Sequence, residues 1–324
     1  MAAAASPERA GGGGTAAVPP RAGAVCLGPA RREAGRRGFQ GSAGLRLLRA
    51  AFQGGAAGVS EALRAGADPD YTQPGDDYTP LHAAATKGHA EVVRALCEGG
   101  AEKDRVESCG RTPLLLAAGH GHLEVVRALC ELGADRDRAK PDGRTPLFAA
   151  AAGGRAEIVL ELSEAGAATD EAIEDGATPL LAAAANGHEA AVRALCKAGA
   201  DTERARANGA TPLLVAAANG YLGVVQALCE FSADTSAAMQ DGRTPLQVAS
   251  AAGHVEVARA LAAADADGDR TDAVHSPAYA GRAERSRHAG RSGRSRHGGF
   301  LRAFLEALEA GEAPPDGVGL EDKG

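Results

Sequence analysis

The sequence predicts an all-α solenoid of about seven stacked helix pairs joined by β-turn fingers. Three observations predict it. Thr-Pro recurs at Thr79, Thr112, Thr145, Thr178, Thr211 and Thr244, each 33 residues after the last, with no insertion between copies. A fixed period of this size marks one supersecondary unit repeated in tandem, each copy burying its apolar face on the next. Every Thr-Pro also opens a short Ala-rich run ended near a glycine, followed by a second run with an aliphatic stripe. Finally, six Phe, four Tyr and no Trp serve 324 residues. A single core of that size would need more large side chains, whereas a thin Ala/Leu/Val seam does not.

In chain order, residues 1–44 are Ala, Gly, Pro and Arg with almost no apolar periodicity, which predicts disorder. Leu45 to Asp70 predicts an atypical opening helix pair through Leu47, Leu48, Phe52, Val59 and Leu63. It lacks Thr-Pro, as a capping unit does. In the first full copy Thr79 is an N-cap type and Pro80 takes the first helical position, where its missing N–H costs nothing. The Ala-rich stretch behind it favours helix, and Gly88 ends that helix. A second helix, from about His89 to Glu98, puts Val92, Val93 and Leu96 on one face and Glu91, Arg94 and Glu98 outside. Polar residues then lead to an Asp-Gly or Asn-Gly turn, as at Asp142-Gly143 and Asn208-Gly209. The array spans 45–272 and closes on Val257 to Leu261. Residues 273–299 form a basic Arg/Ser/Gly/His-rich linker. Residues 300–324 predict a short amphipathic helix and tail through Phe300, Leu301, Phe304, Leu305 and Leu308. Because Glu306 to Gly311 mirrors Glu61 to Gly66, that segment reads as the start of a second array; a partner-docking helix is the rival.

The copies agree residue by residue. Thr79-Pro80-Leu81-His82, Ala84-Ala85, Gly88-His89, Glu91-Val92-Val93, Leu96 and Gly100-Ala101 return as Thr112-Pro113-Leu114, Ala117-Ala118, Gly121-His122, Glu124-Val125-Val126, Leu129 and Gly133-Ala134. On these residues the chain resembles the ankyrin repeat family. The resemblance implies antiparallel helix pairs, protruding β-turn fingers and a protein-binding module. It also implies a bracing His at the fourth motif position. Only His82 keeps it; Leu115, Phe148, Leu181, Leu214 and Gln247 replace it, and the apolar substitutes are expected to keep the packing but lose a side-chain hydrogen bond. The copy from Thr145 departs most, which predicts local softness there or a contact surface at Leu160.

No catalytic, cofactor or metal constellation emerges. Cys97, Cys130, Cys196 and Cys229 fall on the repeat beside core leucines, as small hydrophobes in a reducing compartment would. Adjacent helices pack about 8–10 Å apart, too far for disulfides between them. Cys109 sits in a finger as the one array thiol expected to be accessible. His120 and His122 lack a third metal ligand at suitable spacing. Phosphate loops, nucleophile elbows and zinc-protease helices are absent, so the chain is expected not to be an enzyme and to take no small-molecule substrate.

Charge divides by segment. Residues 1–44 carry +4, 45–274 carry −12, 275–299 carry +5 and 300–324 carry −4. An acidic array disfavours nucleic acid along it and mildly favours a basic partner. Weak RNA contact, nuclear import or phosphorylation remains open only for the Arg-Ser tail. With no apolar run long enough for a signal core or membrane span, a monomeric protein of the cytoplasm or nucleus is expected.

In the resembled family, partners lie along the concave side built from fingers and first helices. Mapped onto this chain, the candidates are Tyr71, Asp76, Tyr78, Lys103, Arg105, Arg136, Arg138, Lys140, Arg204 and Arg206 in the fingers, with Asp77, Glu171 and Glu174 beside them. Lys87, Asn186 and Asn219, with His120, are the candidates on the first helices. Tyr71 and Tyr78 stand out because Tyr and Arg anchor interfaces. The expected function is a non-catalytic scaffold or adaptor binding a protein partner. The alternative is a targeting subunit or fragment of a larger enzyme such as a ubiquitin ligase or kinase.

Overall fold

The computed structural model describes residues 43–73 and 77–271. The N-terminal segment, the basic linker, the helix expected over 300–324 and the candidate Asp76 lie outside them. Among the described residues are fourteen helices and no strand. They pair as α1 (Ala43–Gln53) with α2 (Ala56–Arg64), α3 (Pro80–Lys87) with α4 (Ala90–Glu98), and α5 (Pro113–His120) with α6 (Leu123–Glu131). Next come α7 (Pro146–Ala152) with α8 (Ala156–Glu164), α9 (Pro179–Ala185) with α10 (Glu189–Lys197), and α11 (Pro212–Asn219) with α12 (Leu222–Glu230). The last pair is α13 (Pro245–Ala251) with α14 (Val255–Thr271).

The Thr-Pro dipeptide starts each first helix from α3 to α13 by the same device. Each threonine is extended, and its hydroxyl accepts the backbone N–H three residues on. That satisfies one donor the helix itself leaves open, and proline removes another. Helices α3, α5 and α11 stop on left-handed Gly88, Gly121 and Gly220. Helices α7, α9 and α13 stop one residue earlier, leaving the left-handed turn to Gly154, Gly187 and Gly253. The copy from Thr145 therefore keeps the common helix pair despite its altered residues.

One apolar seam runs through the stack from Leu47 to Leu261. Leu81, Leu114, Leu147, Leu180 and Leu213 are buried at the same register of successive first helices, and Leu96, Leu129, Leu162, Leu195 and Leu228 on the second. Ala84, Ala117, Ala150, Ala183 and Ala216, all fully buried, let the first helices approach. Extensive helix contacts join only partners in a pair or like helices of adjacent pairs: first on first, second on second. Cohesion is therefore a nearest-neighbour property.

Candidate partner-binding surface

Five of the fingers are hydrogen-bonded turns among the described residues. Glu107 N–H donates to the Arg111 carbonyl at 3.1 Å, and Gly110 N–H returns to the Glu107 carbonyl at 2.7 Å. The same pair of bonds forms at Lys140/Arg144, Ile173/Ala177, Arg206/Ala210 and Met239/Arg243. Asp142, Asp175, Asn208 and Asp241 tighten four of these turns by accepting the backbone N–H two residues on.

A second set of bonds ties finger to finger. Asp104 Oδ1 accepts Asp135 N–H at 2.9 Å, Asp137 Oδ1 accepts Ala168 N–H at 2.9 Å, and Asp170 Oδ1 accepts Asp201 N–H at 3.1 Å. Glu203 Oε1 continues the ladder to Asp234 N–H at 3.0 Å, and Asp70 opens it on Glu102 N–H. Sequence reasoning missed this ladder, although an acidic column at 104, 137, 170 and 203 was there to read.

Behind the fingers, the second-helix histidines bridge copies. His89, His122, His188 and His254 place Nε2 3.0–3.3 Å from a carbonyl oxygen of the preceding copy, at Phe52, Thr86, Ala152 and Ala218. Desolvation lowers the His122 pKa, keeping its imidazole neutral. His82 braces its own copy and the next: Thr79 N–H donates to Nδ1 at 3.3 Å, and Nε2 donates to the Arg111 carbonyl at 3.2 Å. Burial pulls its pKa down to about 4. Gln247, which stands in for the histidine in the last copy, supplies half of the brace: its Oε1 accepts Thr244 N–H at 3.1 Å. An amide oxygen can replace the accepting imidazole nitrogen.

The predicted contact residues divide into those tied down and those free. Tyr78 is buried, contrary to its expected exposure on the finger. Its hydroxyl lies 2.6 Å from Thr86 Oγ1 and donates to the His82 carbonyl, and its ring packs with Ala83 and Leu116. Tyr71 is half-buried, its ring against Gly44 of α1. Lys103 donates to the Leu132 carbonyl at the end of α6, Lys140 pairs with Asp142, and Arg206 Nε stands 3.6 Å from Asp175. Arg136 is half-buried with its Nε unbonded. Cys109, expected to be accessible, is half-buried.

On the first helices Lys87, His120, Asn186 and Asn219 occupy one register and are all exposed. Lys87 Nζ lies 4.5 Å above the Phe52 ring, and the Asn186 and Asn219 amides donate to carbonyls of the preceding copy. Arg138, Glu171, Glu174 and Arg204 are exposed, and Arg105 is half-buried.

The family profile described as ankyrin repeats (3 copies) matches residues 47–140, 132–206 and 198–272. The chain belongs to the ankyrin repeat family. Two solved structures are similar to the array. The human ASB11 ankyrin repeat domain shares 26% identity at a TM-score of 0.60, with 67% of this chain and 96% of that one aligned. The ankyrin repeat domain of Bcl-3, a member of the IκB family, shares 29% identity at a TM-score of 0.60, with 67% and 97% aligned. No curated protein sequence matches significantly. Ankyrin repeats are protein-interaction modules, and this array is a protein-interaction domain.

The opposite face of the ankyrin array is laced by ion pairs between second helices: Arg94 with Glu131 at 2.8 Å, Arg127 with Glu161 at 2.7 Å, and Arg193 with Glu230. Leu160 holds the register of those arginines and is exposed beside Leu123, Glu157 and Glu164. Burial pushes the Cys97 and Cys196 thiols up to about 11, which removes them from thiolate chemistry near neutral pH. No group of three or more His, Cys, Asp or Glu among the described residues could hold a metal, and none of their helices is long and apolar enough to cross a membrane.

Proposed function

We propose that this ankyrin array is a non-catalytic scaffold or adaptor that binds a protein partner along the face made by its fingers and first helices. One observation carries the reading. The framework residues repeat almost unchanged and bond to one another, whereas Lys87, His120, Asn186 and Asn219 vary in chemistry at a single exposed register. A constant scaffold with a variable exposed row is how a repeat protein changes partner without changing fold. Pre-stacked copies also limit the ordering entropy lost on association. Chemistry that varies along an exposed row distinguishes this face from the opposite one, where arginine and glutamate recur and pair with each other.

The test compares full-length protein with two charge-altered forms in affinity capture. Lys87→Glu with His120→Glu changes the proposed face; Glu98→Lys with Glu131→Lys changes the opposite one. Partners lost only from the first form support the reading, and loss confined to the second refutes it.

A further inference from the structure

We infer that the fingers carry an ordered charge register for an extended acidic peptide containing one basic residue. Immediately after the ladder carboxylates Asp104, Asp137, Asp170 and Glu203 come Arg105, Arg138, Glu171 and Arg204, one per finger, all at the same register. Each ladder carboxylate accepts a backbone N–H of the next copy, so the neighbouring charged residue is held at a fixed place along the stack. None of the four charged side chains forms an ion pair with another described residue. They read plus, plus, minus, plus; the carboxylate before each is already occupied by a backbone N–H, so these four set the local charge along the fingers although the array as a whole is acidic.

Copies of the array follow one another at the spacing of packed helices, about 8–10 Å. A polyproline II segment rises about 3.1 Å per residue with three residues per turn, so every third side chain lies on one edge roughly 9 Å from the last. The two periods match. A β-strand would turn alternate third residues to opposite faces. The partner class is therefore a Pro-rich segment with acid, acid, base, acid at positions i, i+3, i+6 and i+9, opposite Arg105, Arg138, Glu171 and Arg204. Asp or Glu meets each arginine, and Lys or Arg meets Glu171. This deepens the proposed function and rests on it, since the fingers belong to the same face.

The probe is a fluorescein-labelled peptide, Glu-Pro-Pro-Glu-Pro-Pro-Lys-Pro-Pro-Glu, titrated into the full chain at low salt, where exposed charges are least screened. The control, Lys-Pro-Pro-Glu-Pro-Pro-Glu-Pro-Pro-Glu, has the same composition and net charge and matches the register in neither direction. Replacing two like-charge contacts by two opposite-charge ones favours the first peptide several-fold, about three- to tenfold. Glu171→Arg should shift the preference to the peptide with Glu in place of Lys. Equal affinities, no binding of the matched peptide, or an unchanged preference in Glu171→Arg overturns the register. If Arg138→Glu and Arg204→Glu weaken both peptides alike, the face still binds and only the charge order fails. Binding that ignores both changes overturns the finger-face reading as well.

Discussion

His188 covers Gly154 so closely that a Cβ there would stand 2.7 Å from its Nδ1, while its Nε2 lies 3.1 Å from the Ala152 carbonyl oxygen. The glycine turns the chain at a φ of 69°, and the imidazole of the next copy closes over it. The clasp recurs at Gly54/His89, Gly88/His122 and Gly220/His254, with Arg155 over Gly121 and Tyr221 over Gly187. Each clasp couples a local backbone requirement to the stacking of copies.

Gly154→Ala should therefore destabilise more than Gly199→Ala. Gly199 has a φ of 87° but nothing within 4 Å of a built Cβ. Its substitution meets only the left-handed penalty, about 1 kcal/mol. Gly154→Ala adds overpacking against the imidazole, for about 2–3 kcal/mol in urea unfolding. Adding His188→Ala should recover part of that excess. Equal costs for the two glycines would refute the clasp.

His82 makes stability pH-dependent in a definite direction. Its folded pKa lies near 4, below the usual 6.5, because burial disfavours the imidazolium. The unfolded chain thus binds the proton first, and this contribution, complete above pH 6.5, is lost as pH falls towards 4. The expected loss is roughly 3 kcal/mol. His82→Gln can keep an acceptor for Thr79 N–H, as Gln247 does for Thr244, and cannot titrate. Urea midpoints of wild type and variant should converge between pH 6.5 and 4; parallel curves would contradict the assignment.

Tyr78 should behave as a core residue. Tyr78→Phe loses the hydroxyl's bonds to Thr86 and the His82 carbonyl, about 1 kcal/mol. Tyr78→Ala also empties the space beside Ala83 and Leu116, about 3 kcal/mol or more. Thermal unfolding that leaves the alanine variant within 0.5 °C of wild type would place the ring outside the core.

The ladder is tested at one rung. Asp137→Ala leaves Ala168 N–H without its acceptor and should cost about 1 kcal/mol, whereas Asp137→Asn retains an accepting oxygen and costs less. Hydrogen exchange at the Ala168 amide should speed up markedly in the first variant only. Unchanged exchange in both would remove the rung.

Much of this architecture was legible in residue order. The helix starts at Thr-Pro, the stops at glycine and the aliphatic seam all arise within one copy, between residues a few positions apart, and the 33-residue period repeats them. The exposure of the finger residues was legible only in part. Arg138 and Arg204 are exposed, but Tyr78, Lys103 and Lys140 are engaged inside the array.

The sequence by itself determined the number of copies, the ends of their helices and which side chains form the seam, because short-range sterics and periodic apolarity decide those. Only the tertiary structure decided that Asp137 reaches Ala168, that His188 closes over Gly154 and that Tyr78 turns inward. The first two join neighbouring copies, over separations of 31 and 34 residues, and the third depends on the packing of α3 against α1 and α5. Their partners are backbone groups and ring faces, which leave no trace in residue type until stacking brings them within a hydrogen bond's length.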